Sequence, residues 1–506
     1  MIGFERTRGD FDDYFNTSLI GLQGELDSKQ IERLKRIKRN WNFYEGYHWE
    51  EMPDMDSPEL TVNYCRAFVN KFVSFELGKV FTFATHKSME GVKVTPDGRT
   101  LFEYLEDVWE DNKQYCFTEE MGQMKSVTGE AWVQVRYFKP EELDDPYGEY
   151  PQGRIQIMLL PTSVVFPEFD PHNRDKLTRV TIMYEYKKIE HTGILGRKRE
   201  KKALYKQIWT DKECVVIDDG KKSEPYPNKY GVIPFVLIRN LAIAGRTEGY
   251  SDLEDVIPLN VELNLKESNV SEILDYHAAP ITIVYGAKVG NLEKGANKMW
   301  GGLAKDARVE NLELQGDLQA SNTHILNLKN EMCEVGGIPE TVLGGSQAIS
   351  NTSGVALQYI NLPLIEKTRV KRIYTEDGLE RLNKLILLVS LLEGFITKPE
   401  GISNRDFFHI ECSIPDTLPK DLLIELQQIQ QEMKIGIESR KGAAQRMGKE
   451  NIDDLFAKID EDRAKNPELY GGKSEDPQLN SGMTNGETPI EQVRKEMTGS
   501  NGMSNS

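Results

Sequence analysis

Ser251-Asp252-Leu253-Glu254-Asp255-Val256 opens the stretch that decides the fold, which runs on to Gly394. Ser251 with Glu254 three residues later has the form of a capping box, the hydroxyl accepting from an orphan N–H while the carboxylate reaches back. Val256, Leu259, Leu263, Val270 and Leu274 then recur at helical spacing, mixed with Asn260, Asn264, Ser268 and Asn269. The spacing predicts a helix over 251–277, about 40 Å long at ~1.5 Å per residue, with a local kink at Pro258 in its second turn. Ala278-Ala279-Pro280 ends it. Ile281–Tyr285 reads as a strand, the five glycines from Gly286 to Gly302 as turns, and Arg308–Leu314 as a second strand-like run. Asp317 is placed to cap a returning helix that carries Leu318, Ile325, Leu328 and Met332 and stops at Gly336-Gly337.

Gly337-Ile338-Pro339-Glu340-Thr341-Val342-Leu343-Gly344-Gly345-Ser346-Gln347-Ala348-Ile349-Ser350-Asn351-Thr352-Ser353 follows. It has neither a helical nor a strand period, and its glycines and small polar residues favour an exposed, adaptable loop. Asn351, Thr352 or Ser353 can cap the next helix. That helix carries Val355, Leu357, Ile360 and Leu362, meets Pro363, and resumes through Leu364, Val370, Leu379, Leu382, Ile386 and Leu392. A proline inside it removes a backbone donor and clashes with the preceding turn, which predicts a bend near 359–362.

Gly-Ile-Pro-x-x-x-Leu-Gly at 337–344, with Ser350-Asn351 entering a kinked helix, resembles the tunnel-loop region of tailed-phage portal proteins. Tyr250–Val256 resembles the descending stem helix of the same family, of the type found in phages of Gram-positive hosts. The resemblance implies an α+β, portal-like architecture: an α/β wing over 1–250, a descending stem helix over 251–277, and a small β-rich clip over 278–317. An ascending stem helix (318–335), a tunnel loop (336–352), a long kinked tunnel helix (353–394), a wing return strand (395–417) and crown helices (418–465) follow. It further implies a ring of about twelve copies closed by symmetry, set at one capsid vertex of the virion and assembled in the host bacterial cytoplasm. Such a ring is the channel for double-stranded DNA during packaging and ejection, and it docks the terminase large subunit and a head–tail adaptor beside capsid and scaffolding proteins. On this resemblance Gly344, Gly345, Ser346, Gln347, Ser350, Asn351 and Thr352 face DNA, and Pro363 kinks the tunnel helix. Lys288, Lys294, Lys298, Trp300, Lys305 and Arg308 form the clip's docking surface. Two other readings stand beside it: a minor head or adaptor protein of a virion, and a DNA-processing enzyme.

Composition bounds these readings. A chain of 506 residues is too long for one compact core. With 28% charged and 39% hydrophobic residues it reads as a soluble globular protein. It has no apolar run of the ~18 residues that a membrane span needs, and Met1–Arg6 lacks a signal peptide's apolar core. The formal charge of −18 argues against a general nucleic-acid binder, whose affinity comes from clustered Lys and Arg on phosphates. It leaves room for a protein that DNA slides past. Cys65, Cys116, Cys214, Cys333 and Cys412 are scattered and read as reduced, mostly buried thiols.

The first 26 residues read as a loosely attached arm. Asp27 or Ser28 can cap a helix to about Gly46, whose cluster Arg33, Lys35, Arg36, Lys38 and Arg39 reads as a solvated face, a contact to an acidic neighbour, or a nucleic-acid patch. Asn63–Leu77 reads as a second helix, Val80–Phe83 as a strand, and Leu101–Glu110 and Phe117–Val127 as two more helices. From Ala131 the period changes to two, with strands at 132–137, 154–159, 179–184, 204–209, 214–217 and 232–238. Gly196–Lys202 reads as an exposed basic hairpin tip, with a nucleic-acid patch or a contact to a neighbouring subunit as its alternatives. Phe407–Cys412 is one more strand, returning to the wing sheet, and helices follow from Leu418, Ser439 and Asn451. From Asn466 the composition predicts a disordered tail.

Catalytic constellations with matching spacing are missing from the sequence. Gly471-Gly472-Lys473-Ser474 ends like a phosphate-binding loop, but Pro467 stands where its first glycine belongs. The seven histidines include no i, i+4 pair. Asp54-Met55-Asp56 and the acidic run Glu141–Asp145 read as solvated turns. The expectation is a chain with no enzyme activity, cofactor or metal.

Overall fold

The structure, a computed structural model, describes residues 24–49, 60–192, 197–278, 282–285, 308–311, 318–344, 359–415, 422–447 and 452–465. Its backbone divides into two compact units, Met1–Leu418 and Pro419–Ser506.

The first unit opens on α1 (Ser28–Glu45), which Asp27 caps in a full capping box with Gln30 and which Gly46 ends in the left-handed region at φ 97°. Then come α2 (Tyr64–Leu77), capped by Asn63, and β1 (Thr82–Thr85). α3 (Leu101–Asp111) has a Thr100–Glu103 capping box, and α4 (Gln114–Thr128) ends at Gly129. The β-rich part follows as β2 (Glu130–Phe138), β3 (Arg154–Leu160), β4 (Val165–Phe169), β5 (Leu177–Thr192), β6 (Arg197–Trp209), β7 (Glu213–Asp218) and β8 (Phe235–Arg239). These make an antiparallel three-stranded sheet in the order β8-β2-β3 and an antiparallel sheet β4-β5-β6-β7 extended by Lys221–Lys222.

The period of two assigns each strand residue to a layer. On β2, Val133 and Val135 join a core with Leu105 and Trp109 of α3, whereas Trp132 points to a second core with Val180, Trp209 and Phe235 between the two sheets. Sequence reading named no strand at β4, which contains Pro167. The structure places β4 at a sheet edge, where the lost N–H costs no ladder bond.

α5 (Val256–Ala278) and α6 (Leu318–Gly336) pack side by side, with Lys329 of α6 3.0 Å from Glu267 of α5. Between them β9 (Thr282–Tyr285) pairs antiparallel with β10 (Arg308–Asn311). α7 (Leu362–Glu393) runs back through the unit, its Leu382 and Ile386 in the core with α3 and β2. β11 (Ile410–Ser413) does not rejoin the large sheets: it pairs with β1 in a two-stranded sheet of its own. The second unit contains α8 (Leu422–Lys434), α9 (Arg440–Arg446), where Ser439 accepts from Gly442 N–H, and α10 (Ile452–Lys465).

Three sequence expectations need correction. α5 begins at Val256, and residues 252–255 form turns before it. Ser251 Oγ is 2.6 Å from Val127 O, and Glu254 turns away to Arg36 and Arg39, so no capping box forms. Pro258 therefore falls in the first helical turn, where its missing N–H has no partner to lose, and it calls for no kink. At Pro363, by contrast, helical Tyr359-Ile360 gives way to a turn at Asn361 before α7 starts, an interruption inside the expected 359–362. Residues 353–358 of the expected tunnel helix, the arm before residue 24 and the tail from 466 lie outside the described residues.

Candidate functional site

The polar residues interrupting the stripe of α5 have one job. Asn260, Asn264 and Ser268 stand at i, i+4 and i+8, on one helix face, and clasp the backbone that leads into α2. Ser268 Oγ accepts from Leu60 N–H at 3.1 Å and Asn264 Oδ1 from Val62 N–H at 3.0 Å. Asn260 Nδ2 donates to Val62 O at 2.9 Å. Asn264 Nδ2 also donates to His48 Nδ1 at 2.6 Å, and His48 Nε2 donates to Phe43 O at 2.8 Å, which fixes a neutral imidazole. Burial lowers the His48 pKa.

A buried ionic cluster lies where α2, α4, the turn before α5 and α7 meet. Lys371 on α7 is 2.6 Å from Asp252 Oδ2 and 3.2 Å from Glu76 Oε2, with all three side chains at 0% exposure. Lys125 on α4 pairs with Glu76 and donates to Thr375 Oγ1 at 2.8 Å. Ser126 Oγ donates to Asp252 at 2.7 Å. One turn before Lys371, Lys367 donates to Gly336 O at the end of α6 at 2.9 Å and lies 3.3 Å from Asp252 just before α5. One lysine thus touches the end of one long helix and the start of the other, so α5 leaves and α6 returns to a common root, antiparallel and side by side. Both ammonium groups stand over the Phe72 ring, at 4.2 and 4.8 Å from its centroid.

Three ammonium groups face two carboxylates here, and the electrostatics follow. Burial opposes ionisation of Glu76 and Asp252, but Lys125 and Lys371 hold Glu76 below its ordinary value, and Lys371 and Lys367 do the same for Asp252. Burial works against Lys371 too, yet its two carboxylates raise it. Lys125 and Lys367 carry the surplus: burial lowers both, Lys125 to about 8. Breaking such a cluster by removing one member leaves an uncompensated buried charge.

Gly336 and Gly378 let the helices close around this root. A Cβ at Gly336 would overlap the Phe68 ring, and one at Gly378 would press on Ile238. The basic face of α1 also turns inward. Arg33 pairs with buried Glu130, Arg36 lies 2.7 Å from Glu248, and Arg39 lies 2.6 Å from Glu254, while Lys35 and Lys38 are exposed. These arginines bind acids of their own chain.

Of the sequence-predicted site residues, Gly344 ends a short helical turn (Glu340–Leu343) at φ 97°, Pro363 starts α7, and Arg308 stands opposite Tyr285, exposed. Gly345, Ser346, Gln347, Ser350, Asn351 and Thr352 lie outside the described residues, as do Lys288, Lys294, Lys298, Trp300 and Lys305. Sequence reading missed Glu76, Lys125, Asp252, Lys367 and Lys371. Their one signal was a pair of lysines at i, i+4 in line with buried Leu364, Thr368 and Thr375. Among the described residues no group of His, Cys, Asp and Glu could hold a metal ion, and no helix is long and apolar enough to cross a membrane.

One buried ionic root thus carries a long two-helix excursion. The profile of the family described as "Phage portal protein, SPP1 Gp6-like" matches residues 23–468, and the chain belongs to that family. It is similar to a chain of the virion of native gene transfer agent (GTA) particle, at 12% identity and TM-score 0.37. It is also similar to chains of the neck of the empty GTA particle computed with C6 symmetry (13%, 0.41) and of the native particle neck computed with C12 symmetry (13%, 0.39). Each match covers 76% of this chain and 89% of the other. No curated protein matches the chain.

Proposed function

We propose that this portal protein closes into a ring of about twelve subunits at one capsid vertex, through which double-stranded DNA is packaged and ejected. The observation that carries the reading is the pair α5 and α6, packed side by side and antiparallel on one buried root, in a chain of the portal family. Leu274, Leu326 and Val335 on these helices, and Tyr359, Leu362 and Ile373 at the start of α7, are exposed in the single chain. Neighbours in a ring would cover them. In this reading residues 1–250 are the wing, 278–317 the clip that docks the terminase large subunit and a head–tail adaptor, and 418–465 the crown. Capsid and scaffolding proteins surround the wing, assembly takes place in the host bacterial cytoplasm, and the chain hydrolyses nothing itself. The bore is lined by the loop from Gly344 to Thr352, whose neutral polar groups contact phosphates without the ion release that makes Lys and Arg grip DNA.

Electron microscopy of the purified protein tests the ring, for which the expected result is closed particles with a central channel. Gln347→Lys with Asn351→Lys tests the bore: rings form normally, and packaging slows or DNA is trapped, more so at low salt. Unchanged packaging and DNA retention across salt would remove the loop from the DNA surface.

A further inference from the structure

β5 and β6 continue well past the sheet they start in. β4 pairs with β5 over 177–182 and β7 with β6 over 205–209, whereas β5 and β6 pair with each other as far as Thr192 and Arg197. The outer part is a two-stranded ribbon, a form that is marginal in water without support. Its register sets Lys187 opposite Lys202, Lys188 opposite Lys201 and His191 opposite Lys198. Like charges facing across a ladder destabilise it. Asp219 is shared by Lys188 and Lys201 at 3.5 and 3.3 Å, and Glu185 stands 3.6 Å from Lys202. From Lys187 to Lys202 the sequence has seven Lys and Arg against two Glu, in a chain whose net charge is −18.

The same unit holds the complement. α3 carries five carboxylates and no basic residue; Arg99 pairs with Asp107 and Lys93 lies 3.7 Å from Glu103, while Glu106 and Glu110 are exposed. The segment 139–154 adds five more against Lys139 and Arg154. Tyr150 Oη donates to Asp111 at 3.0 Å and Arg154 to Asp111 O, so the two segments make one surface around an open cavity of about 490 Å³. Burial, then the neighbouring Asp107 and Glu103, raise the Glu106 pKa.

We infer that the β5–β6 ribbon of one subunit docks on the α3/139–154 face of the next copy of this chain. The inference rests on the ring reading and names one of its contacts. Two different patches on one subunit, each suited to the other, make a head-to-tail contact that repeats around a closed ring. A second copy satisfies both patches at once. DNA would satisfy the ribbon and leave the acidic face alone, in a chain that repels it elsewhere.

The test uses the full chain and reads ring fraction by native mass spectrometry and electron microscopy from about 50 to 500 mM salt. The ribbon variant is Lys187→Glu, Lys188→Glu, Lys201→Glu, Lys202→Glu; the face variant is Glu106→Lys, Glu110→Lys, Glu149→Lys, all three of which are exposed. Each alone is expected to raise the concentration needed for rings about tenfold or more, and mixing the two is expected to restore a contact between unlike variants. Combining them in one chain restores rings, which a folding defect would not. Normal rings from both variants at all salts, or no recovery in the combination, would overturn the contact. Normal rings with DNA binding lost in the ribbon variant would make nucleic acid the partner instead. A wild-type chain that stays monomeric would refute the ring itself, and this contact with it.

Discussion

Lys371→Met is the sharpest probe of the buried root. Methionine fills much of the lysine volume, so the change removes a charge with little loss of packing. It leaves Glu76 and Asp252, both at 0% exposure, without the ammonium that lay 3.2 and 2.6 Å from them. Removing one partner of a buried pair costs about 3–5 kcal/mol. Lys125 and Lys367 remain beside the two carboxylates, which sets the expectation at the low end, about 3 kcal/mol. At 1.4 kcal/mol per decade, that is roughly 10²-fold more frequent local opening. A long chain in two units does not unfold in two states, so the assay is native-state hydrogen exchange on peptides spanning 364–378 and 252–262. Exchange there is expected to accelerate about 10²-fold, with little change in β5 and β6. Adding Asp252→Asn to Lys371→Met is expected to recover part of the loss, since the singles share one interaction. Exchange within about threefold of wild type would refute the argument that the cluster holds the two helices together.

Gly336→Ala pushes a methyl group into Phe68 and is expected to destabilise by about 1–3 kcal/mol, read as a lower urea midpoint for the first unit. Asn264→Ala strands Val62 N–H and His48; about 1–3 kcal/mol is expected, seen as faster exchange of the Val62 amide and unchanged exchange in β2. His48 has a folded pKa below its ordinary 6.5, so the unfolded chain binds more protons as pH falls. Stability present above 6.5 is therefore lost on acidification through the lowered value, by at most about 1.4 kcal/mol per pH unit; melts from pH 7.5 to 5 should show this fall, and His48→Gln should flatten it.

Legibility in the sequence followed the range of the forces. Caps and periods act within a few residues, so the helices at 28–45, 64–77 and 101–111 and most strands were readable. Ser251 and Glu254 looked like a capping box because their partners, Val127, Arg36 and Arg39, lie more than a hundred residues earlier. Lys367 and Lys371 drew no reading from the sequence, because Asp252 and Glu76, which bury them, lie more than a hundred residues earlier. Arg33, Arg36 and Arg39 read as a basic patch because the acids that neutralise them come from β2 and from 248–254. Gly336 was legible only as a helix stop and Gly378 not at all, since their packing value lies in Phe68 on α2 and Ile238 on β8.

The pairing of β1 with β11 has a consequence for synthesis. Thr82 Oγ1 donates to Ser413 O across a sequence separation of 331 residues. At roughly 5–20 residues per second, about 15–65 s separate the emergence of the two strands from the ribosome. Throughout that time β1 has a bare edge, and α3 and α4 lack the α7 side chains that complete their core. Residues 60–65 wait in the same way for Asn260. An early strand with no native neighbour is a template for pairing with another chain. Truncation before Ile410 should yield chains that associate through β1 instead of folding.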